Sequence, residues 1–292
     1  MKQSRWLVTG AQGFLGSNAG TFLSEKGVTT VGLARSGRSP YFTSMEFADL
    51  TSPGEARRCI RSTSPEVILH CAALSSHQEC EANPVLAQQV NVDATREVAE
   101  AAQECGARLI YLSTDAVFSG KSGNYSETDA THPFSVYGQT KLDGEQNARE
   151  INNALVIRTN FFGWSPSHQR SILEFFYHNL KDKHSVPGFT NVTTTSLYVQ
   201  TLLEYIWRLS AANQTGVFHV ASEDALTKYV FGQLTAQVFE LDGALIAEST
   251  SQEARNISLA TGKLTQALGH TPESQLSGLL RAKQDLMNNQ TP

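Results

Sequence analysis

The chain has 292 residues, of which 40% are hydrophobic, 9% are aromatic and 17% are charged. This length and composition suit about two globular domains with sizeable cores, and they exclude a disordered, coiled-coil or disulfide-stapled protein. The 23 basic and 28 acidic residues give a net charge of −5 without a basic stripe, which argues against a nucleic-acid partner.

The four cysteines are scattered and form no C-x-x-C pair; they are Cys59, Cys71, Cys80 and Cys105. Such spacing is typical of reduced thiols in a cytoplasmic protein. No run of 18 apolar residues and no signal-peptide core occurs, so we expect a soluble protein without membrane association. No histidine spacing suggests a metal site.

Short apolar runs alternate with helical patterns over the first half of the chain. Strands are predicted at 5–9, 28–34, 45–48, 66–70, 108–112 and 154–159, and helices at 14–26 and 85–105, each helix being followed by a glycine. This alternation predicts βαβ units, and apolar runs such as V-I-L-H predict strands covered on both faces. The predicted fold class is α/β, with a Rossmann-type doubly wound parallel sheet.

The pattern changes after about residue 160. Helices are predicted at 171–183, 197–209, 227–241 and 274–287, a polar loop at 187–196 and a strand at 216–220. We expect residues 1–160 to form the Rossmann domain, with a returning strand near 216–220. Residues 161–292 are expected to form mainly a smaller, mixed α/β substrate-binding domain.

A glycine-rich turn joins the first predicted strand to the first helix, in the run T-G-A-Q-G-F-L-G. Glycines here allow a tight turn and a close approach of pyrophosphate to the backbone, and the helix start offers unpaired N–H groups to an anion. The turn therefore predicts a dinucleotide site. Its predicted cofactor-binding residues are Gly10, Gln12, Gly13, Phe14, Leu15 and Gly16.

The end of the second predicted strand bears on which nicotinamide cofactor is bound. A carboxylate there would bind a ribose 2′-hydroxyl and repel a 2′-phosphate. The segment G-L-A-R-S-G-R instead carries Arg35, Ser36 and Arg38. Because arginine pairs well with phosphate, we predict that these residues bind NADPH (NADP) in preference to NADH.

The glycine spacing G-x-x-G-x-x-G resembles that of the extended short-chain dehydrogenase/reductase (SDR) family. Further matches follow in chain order: D-L at 49–50, C-A-A at 71–73 and N-V-D-A-T from position 91. In that family these positions line the adenine, the cofactor ribose and phosphates, and the surroundings of the catalytic lysine. The resemblance thus implies further cofactor-binding residues: Asp49, Leu50, Cys71, Ala72, Ala73, Asn91 and Ser113.

Three residues are predicted to be catalytic. Tyr137 and Lys141 occur as Y-G-Q-T-K at the start of a predicted helix, where the i, i+4 spacing places them on one face. A nearby ammonium favours the phenolate, so the tyrosine gives up its proton more readily. Thr114 follows the fifth predicted strand at the carboxyl edge of the sheet, where ligands of such sheets bind. Tyr137 and Lys141 are expected to contact the cofactor as well.

The run S-T-D-A-V-F-S-G at 113–120 and its continuation to residue 145 resemble the dTDP-4-dehydrorhamnose reductase branch of the family. Segments 216–229 and 256–264 are also similar, so the resemblance covers nearly the whole chain. It implies NADPH-dependent reduction of a keto group on a nucleotide-activated 4-keto-6-deoxy sugar. Tyr137 would donate the proton, Lys141 would hold the nicotinamide ribose and Thr114 would orient the carbonyl.

The resemblance also implies partners. A homodimer through the helices carrying Asn91 and Tyr137 is expected by analogy.

His77 is predicted to be an exposed loop histidine, and Arg158 to face either a phosphate or a structural salt-bridge partner. The predicted substrate-binding residues are Ser75, Asp115, Val117, Asn160, Phe162, Trp164 and Arg170.

Departures from the branch keep alternatives open. Segment 188–198 lacks the usual aspartate and Pro-Thr pair, and Ala260 replaces an acid, so a sugar outside the rhamnose pathway remains open. Ala116 stands where the related 4,6-dehydratases carry an acid, which argues against dehydration. Two alternatives remain: a nucleotide-sugar epimerase, and a non-catalytic NADP-binding regulatory subunit resembling the β subunit of methionine adenosyltransferase.

Overall fold

The computed structural model describes residues 4–37, 39–166 and 171–289, so the predicted site residues Arg38 and Arg170 lie outside the described residues. The strands are β1 (Arg5–Thr9), β2 (Thr29–Ala34), β3 (Ser44–Phe47), β4 (Val67–His70), β5 (Arg108–Thr114), β6 (Leu155–Thr159), β7 (Phe161–Phe162), β8 (Val186–Phe189), β9 (Val192–Thr194), β10 (Leu197–Tyr198), β11 (Gly216–His219), β12 (Leu226–Thr227), β13 (Ile246–Ser249) and β14 (Arg255–Asn256). The α-helices are α1 (Phe14–Glu25), α2 (Glu55–Thr63), α3 (His77–Ala82), α4 (Pro84–Gln88), α5 (Ala94–Cys105), α6 (Val136–Arg149), α7 (Ile172–Lys181), α8 (Val199–Ala211), α9 (Lys228–Phe239), α10 (Gly262–Leu268) and α11 (Gln275–Asn289).

The chain divides into two compact units. The first contains the residues up to Val117, His132–Arg158 and Ser210–Phe218, and the second contains the remainder. The expected boundary near residue 160 therefore misplaces the segment Phe118–Thr131, which belongs to the second unit. The reason is backbone pairing: the Tyr125 N–H donates to the Ser258 carbonyl at 2.9 Å, and the Tyr125 carbonyl accepts from Ala260 at 2.7 Å.

A seven-stranded sheet carries the predicted doubly wound topology. Its order is β11-β6-β5-β4-β1-β2-β3, and β1 pairs in parallel with both β2 and β4. The strand order reverses between β1 and β4, since the chain proceeds outward through β2 and β3 and then returns. Ligands of open α/β sheets bind beyond the carboxyl ends of the strands at this reversal. Here those ends are Thr9 of β1 and His70 of β4.

The core of the first unit is built by the apolar strands and the inner faces of the helices. Leu7, Ile68 and Leu109 from neighbouring strands are completely buried, together with Val98 and Ala102 of α5. Since these strands are apolar at nearly every position, the sheet is covered on both faces.

The helix predicted at 85–105 is present but not uniform. A π-helical turn, Gln89–Asp93, separates α4 from α5. Val85 and Leu86, which the spacing places on the buried face, are 68% and 36% exposed. The extra residue of the π turn puts the two halves out of phase, so the apolar face of α5 does not continue into α4.

The second unit contains small sheets where the sequence predicts a polar loop at 187–196. β8 pairs in parallel with β13, and β9 pairs antiparallel with β12 and parallel with β14. The loop prediction is wrong because the paired residues of the partner strands lie 32 to 63 positions later, where a local pattern cannot show them. Among the residues described, no helix is both long and apolar enough to cross a membrane.

Candidate active site

The glycine turn lies at the carboxyl end of β1 and opens α1. Gly13 is the residue before α1. Within the described chain, no side chain caps the first N–H groups of α1 and no acidic residue lies in its first turn. A Cβ on Gly16 would stand 2.1 Å from the Gly10 carbonyl oxygen, so only glycine permits this approach. The turn thus presents bare backbone donors and a positive helix end, which fit a pyrophosphate.

The predicted residues of this turn divide by orientation. Gln12 is exposed, and Phe14 is half-buried, whereas the Leu15 side chain is only 5% exposed and packs inside the unit. Leu15 can therefore reach a cofactor only through its backbone. The end of β4 is tied to this turn, because the Ala72 N–H donates to the Thr9 hydroxyl at 3.1 Å.

The predicted adenosine end carries mixed charge. Arg35 and Ser36 are exposed beyond β2. Asp49, also exposed, accepts hydrogen bonds from the Thr51 N–H at 3.0 Å and its hydroxyl at 2.7 Å. These bonds lower the pKa of Asp49, and the positive charge of Arg35 lowers it further.

Helix α6 begins where it does because Ser135 caps it. The Ser135 hydroxyl accepts from the Gly138 N–H at 3.1 Å, which starts the helix one residue before Tyr137. Gly138 then allows close packing, since a Cβ there would stand 2.3 Å from the Ala116 carbonyl oxygen. This approach brings the first turn of α6 against the end of β5.

Tyr137 and Thr114 meet at this contact. Burial raises the pKa of Tyr137 above its usual value, and the neighbouring Thr114 hydroxyl acts in the opposite direction. The Asp115 charge also raises that pKa. The Thr114 hydroxyl donates to the Asp115 carboxylate at 3.1 Å and accepts from the Ala116 N–H at 3.1 Å. The phenol therefore stays protonated at neutral pH and can act as a proton donor.

Lys141 lies one turn after Tyr137 and is buried, with 3% exposure. Its ammonium stands over the Tyr111 ring, 4.2 Å from the centroid. Burial lowers the pKa of Lys141 to about 7, with Cys71 and Glu145 acting in the opposite direction. Burial raises the pKa of Cys71 to about 12, so this predicted cofactor-site residue is a neutral thiol.

Arg158 has a structural partner. Its guanidinium donates to both carboxylate oxygens of Glu145, at 2.6 Å and 3.0 Å, and both side chains are almost completely buried. Ser113 completes the group, because its hydroxyl donates to Glu145 at 2.9 Å. Arg158 was predicted to face either a phosphate or a salt-bridge partner, and the structure supports the salt bridge. The contact of Ser113 with the cofactor stays a prediction, since its hydroxyl donates to Glu145 but can still accept a hydrogen bond.

Asn91 lies in the π turn and is 1% exposed. Its amide oxygen accepts from the Leu74 N–H at 2.8 Å, and its amide nitrogen donates to the Leu74 carbonyl at 3.1 Å and to Thr140 at 3.0 Å. Asn91 thus joins the segment after β4 to α6. These bonds engage the Asn91 amide, and its contact with the cofactor stays a prediction.

The predicted substrate residues of the first unit differ in accessibility. Ser75 is exposed on the segment after β4. Asp115 is 2% exposed and holds Thr114, as described above, and Val117 is completely buried. The Val117 side chain therefore belongs to the core, and only its backbone remains available to a ligand.

The predicted substrate residues of the second unit are Asn160, Phe162 and Trp164. Asn160 accepts from the Ser196 hydroxyl at 2.7 Å. Phe162 is completely buried, with its ring 5.0 Å from that of Phe231, so the ring packs in the core of its unit and its substrate contact stays a prediction. The Trp164 indole N–H donates to the Ala282 carbonyl at 2.9 Å, which fixes this half-buried ring within its own unit; its contact with substrate stays a prediction.

One contact of Tyr137 is absent from the sequence-based prediction. The His77 ring lies 4.7 Å from the Tyr137 ring and stacks on Phe134 at 5.9 Å with an interplanar angle of 9°. His77 is exposed, as predicted, but it is the first residue of helix α3 and does not lie in a loop. Its ring also contacts Tyr137. Its separation of 60 residues from Tyr137 leaves no local signal for this contact. No group of three or more potential metal ligands occurs in the part of the chain that the structure describes.

A doubly wound sheet with a glycine turn at its strand reversal and a Thr/Tyr/Lys set at β5 and α6 defines an extended SDR protein. The sequence model for the RmlD substrate binding domain matches residues 4–276. The chain belongs to that family, which confirms the predicted fold class and family resemblance.

The chain is similar to two known proteins in sequence and to one solved structure in fold. The chain is 31% identical to the "probable low-salt glycan biosynthesis reductase Agl14" of Haloferax volcanii, over 83% of this chain and 82% of the relative. It is 30% identical to methionine adenosyltransferase 2 subunit beta of Pongo abelii, over 89% and 81%. It also resembles the solved dTDP-4-dehydrorhamnose reductase of Bacillus anthracis in complex with NADP, with a TM-score of 0.86, 23% identity and coverage of 98% and 99%.

Proposed function

We propose that this protein is an NADPH-dependent reductase of a keto group on a nucleotide-activated 4-keto-6-deoxy sugar. The observation that carries the proposal is the packing of the first turn of α6 against the end of β5, which brings Tyr137 beside Thr114, with the buried Lys141 one turn further on. Two relatives support it: the Haloferax protein is named a reductase, and the Bacillus structure is a complex with NADP.

The cofactor would be held by the first unit. The N–H groups at the start of α1 would bind its pyrophosphate, and Arg35 would pair with the 2′-phosphate of NADPH. Bound NADPH supplies the hydride that reduces the carbonyl carbon. The neutral Cys71 and the backbone of Ala72 and Ala73 would line the same side of the pocket.

The proton would come from Tyr137. As the carbonyl oxygen gains negative charge, the phenol donates its proton and Thr114 provides a second hydroxyl that orients the oxygen. Asp115 fixes that hydroxyl by accepting its hydrogen bond at 3.1 Å. Lys141 would hold the nicotinamide ribose, and its charged form would make the phenol a stronger acid than it is in the isolated chain.

The proposal is tested by measuring consumption of NADPH and NADH against a panel of nucleotide-linked 4-keto-6-deoxy sugars. We expect turnover with NADPH and a 10²–10⁴-fold smaller kcat in Tyr137→Phe, because general acid catalysis contributes about that factor. Tyr229→Phe, in the second unit, is the matched control and should retain full activity. Unchanged activity of Tyr137→Phe contradicts the assignment, and sugar interconversion without net cofactor consumption would identify the epimerase alternative.

A second candidate function is a regulatory NADP-binding subunit. It is favoured by the methionine adenosyltransferase 2 subunit beta relative, which matches 89% of this chain. In that case the protein should bind NADPH without reducing any sugar of the panel. It should also co-sediment with a methionine adenosyltransferase catalytic chain, and Tyr137→Phe should leave that association unchanged.

We also propose a homodimer formed through the helical region around Asn91 and Tyr137. The exposed apolar side chains Val85 and Leu86 on α4 support this location. Sedimentation equilibrium should give twice the chain mass. The double variant Val85→Ser/Leu86→Ser should shift the protein toward the monomer if this face is the interface.

A further inference from the structure

Helix α3 is short, but several contacts fix its position. The Ser76 hydroxyl accepts from the Glu79 N–H at 3.2 Å and caps its first turn. The buried Cys80 thiol donates to the Leu74 carbonyl at 3.3 Å. Leu74 is itself held on both its N–H and its carbonyl by Asn91, so α3 is connected to the buried part of the unit.

The same helix contacts the start of α6 at two points. The Glu81 carboxylate accepts from the Val136 N–H at 2.8 Å, which is a donor that the helix itself leaves unpaired. The His77 ring lies against the Tyr137 ring, 4.7 Å between centroids at an angle of 56°. The Phe134 ring stacks on the His77 ring as well, with 5.9 Å between centroids and an interplanar angle of 9°.

We propose that His77 is a positioning residue for Tyr137. The His77 ring, itself stacked on Phe134, packs against the Tyr137 ring and holds the phenol in the orientation that places it beside Thr114. This inference rests on the proposed function, since it assigns the role of His77 through the proton donor of that reaction. Aromatic pairs at this separation restrict ring orientation, and a misplaced donor lowers the rate of proton transfer.

The placement of His77 argues against a purely structural role. His77 is exposed and contributes little to the core, unlike Cys80 on the same helix. A ring at an exposed position that packs on a catalytic side chain acts on that side chain more than on stability. We therefore expect His77→Ala to leave the melting temperature nearly unchanged.

The test compares His77→Ala, His77→Phe and the control His132→Ala, an exposed histidine of the loop before α6. We expect kcat for the sugar to fall about tenfold in His77→Ala with KM little changed, and His77→Phe to restore most of it. In a Tyr137→Phe background the further change His77→Ala should have no effect on the residual rate. An increase in KM without loss of kcat would overturn positioning and identify direct substrate contact.

A second measurement does not depend on turnover. With tyrosine labelled by ¹³C at Cζ, the Tyr137 resonance is identified by its loss in Tyr137→Phe. We expect one sharp line in the wild-type protein and in His77→Phe, and a split or broadened line in His77→Ala. An unchanged sharp line in His77→Ala overturns the inference even if no sugar of the panel is reduced, whereas broadening without any turnover leaves the positioning role standing and refutes the reductase proposal alone.

Discussion

Removing Arg158 should destabilise the protein strongly. In Arg158→Leu the carboxylate of Glu145 remains completely buried but loses both hydrogen bonds from the guanidinium, at 2.6 Å and 3.0 Å. It retains one, from Ser113 at 2.9 Å. A hydrogen bond to a charged group contributes about 1.5–3 kcal/mol, so two lost bonds correspond to about 3–6 kcal/mol. This agrees with the cost of about 3–5 kcal/mol known for breaking buried ion pairs.

The assay is urea denaturation followed by circular dichroism. Arg158→Leu should lose about 3–5 kcal/mol of the free energy of unfolding, and Glu145→Leu/Arg158→Leu should lose much less, because no buried charge is then left alone. The control Arg61→Leu removes an exposed ion pair with Glu104 at 2.9 Å and should cost under about 1 kcal/mol. A loss below about 1 kcal/mol in Arg158→Leu, or a double variant as unstable as the sum of the single ones, would refute the reasoning.

Further predictions concern the glycine turn and two buried titratable groups. Gly16→Ala should abolish NADPH binding measured by fluorescence or calorimetry, because its Cβ would meet the Gly10 carbonyl at 2.1 Å, whereas Gly262→Ala, with open space around it, should bind normally. The pKa of Lys141 is about 7 in the folded protein and 10.5 in the unfolded chain. Between these pH values the unfolded state binds one more proton than the folded state, so the free energy of unfolding should rise with pH. Lys141→Met should lose this rise. The pKa of the buried His70 is about 3 when folded and 6.5 when unfolded, so stability should fall as pH drops from 6.5 toward 3. His70→Gln should lose less of its free energy of unfolding in that pH range. If Lys141→Met or His70→Gln shows the same pH dependence as the wild-type protein, the buried group does not have this shifted pKa.

The first unit was largely predictable from the sequence. The strand at Arg5–Thr9 occurs as predicted, and the other core strands agree within two residues, because apolar runs between glycines and helical patterns are local signals. The second unit was less so. Its strands β8 and β9 are short and obtain their hydrogen bonds from distant segments. Pro187 and Gly188 in β8 disfavour a strand, so the local residues predict a loop.

The candidate site shows the same division. The glycine turn and the i, i+4 pair of Tyr137 and Lys141 follow from spacing along the chain. The partner of Arg158 and the ring contact of His77 depend on packing between elements, which spacing does not encode. The sequence likewise identifies Phe162 as an aromatic near the predicted site but cannot tell whether its ring faces a ligand or the interior.

The π turn at Gln89–Asp93 has a consequence for how this segment can vary in length. An α-helix turns by about 100° per residue, so deleting one residue here would convert the segment to a continuous helix and rotate everything before it by about that angle. Asn91 would swing away from Leu74, and the anchored segment leading to α3 would lose its attachment. Substitutions that preserve length leave this geometry intact, whereas single-residue deletions do not. The number of residues between Pro84 and Cys105 is therefore as much a determinant of the site as their identity.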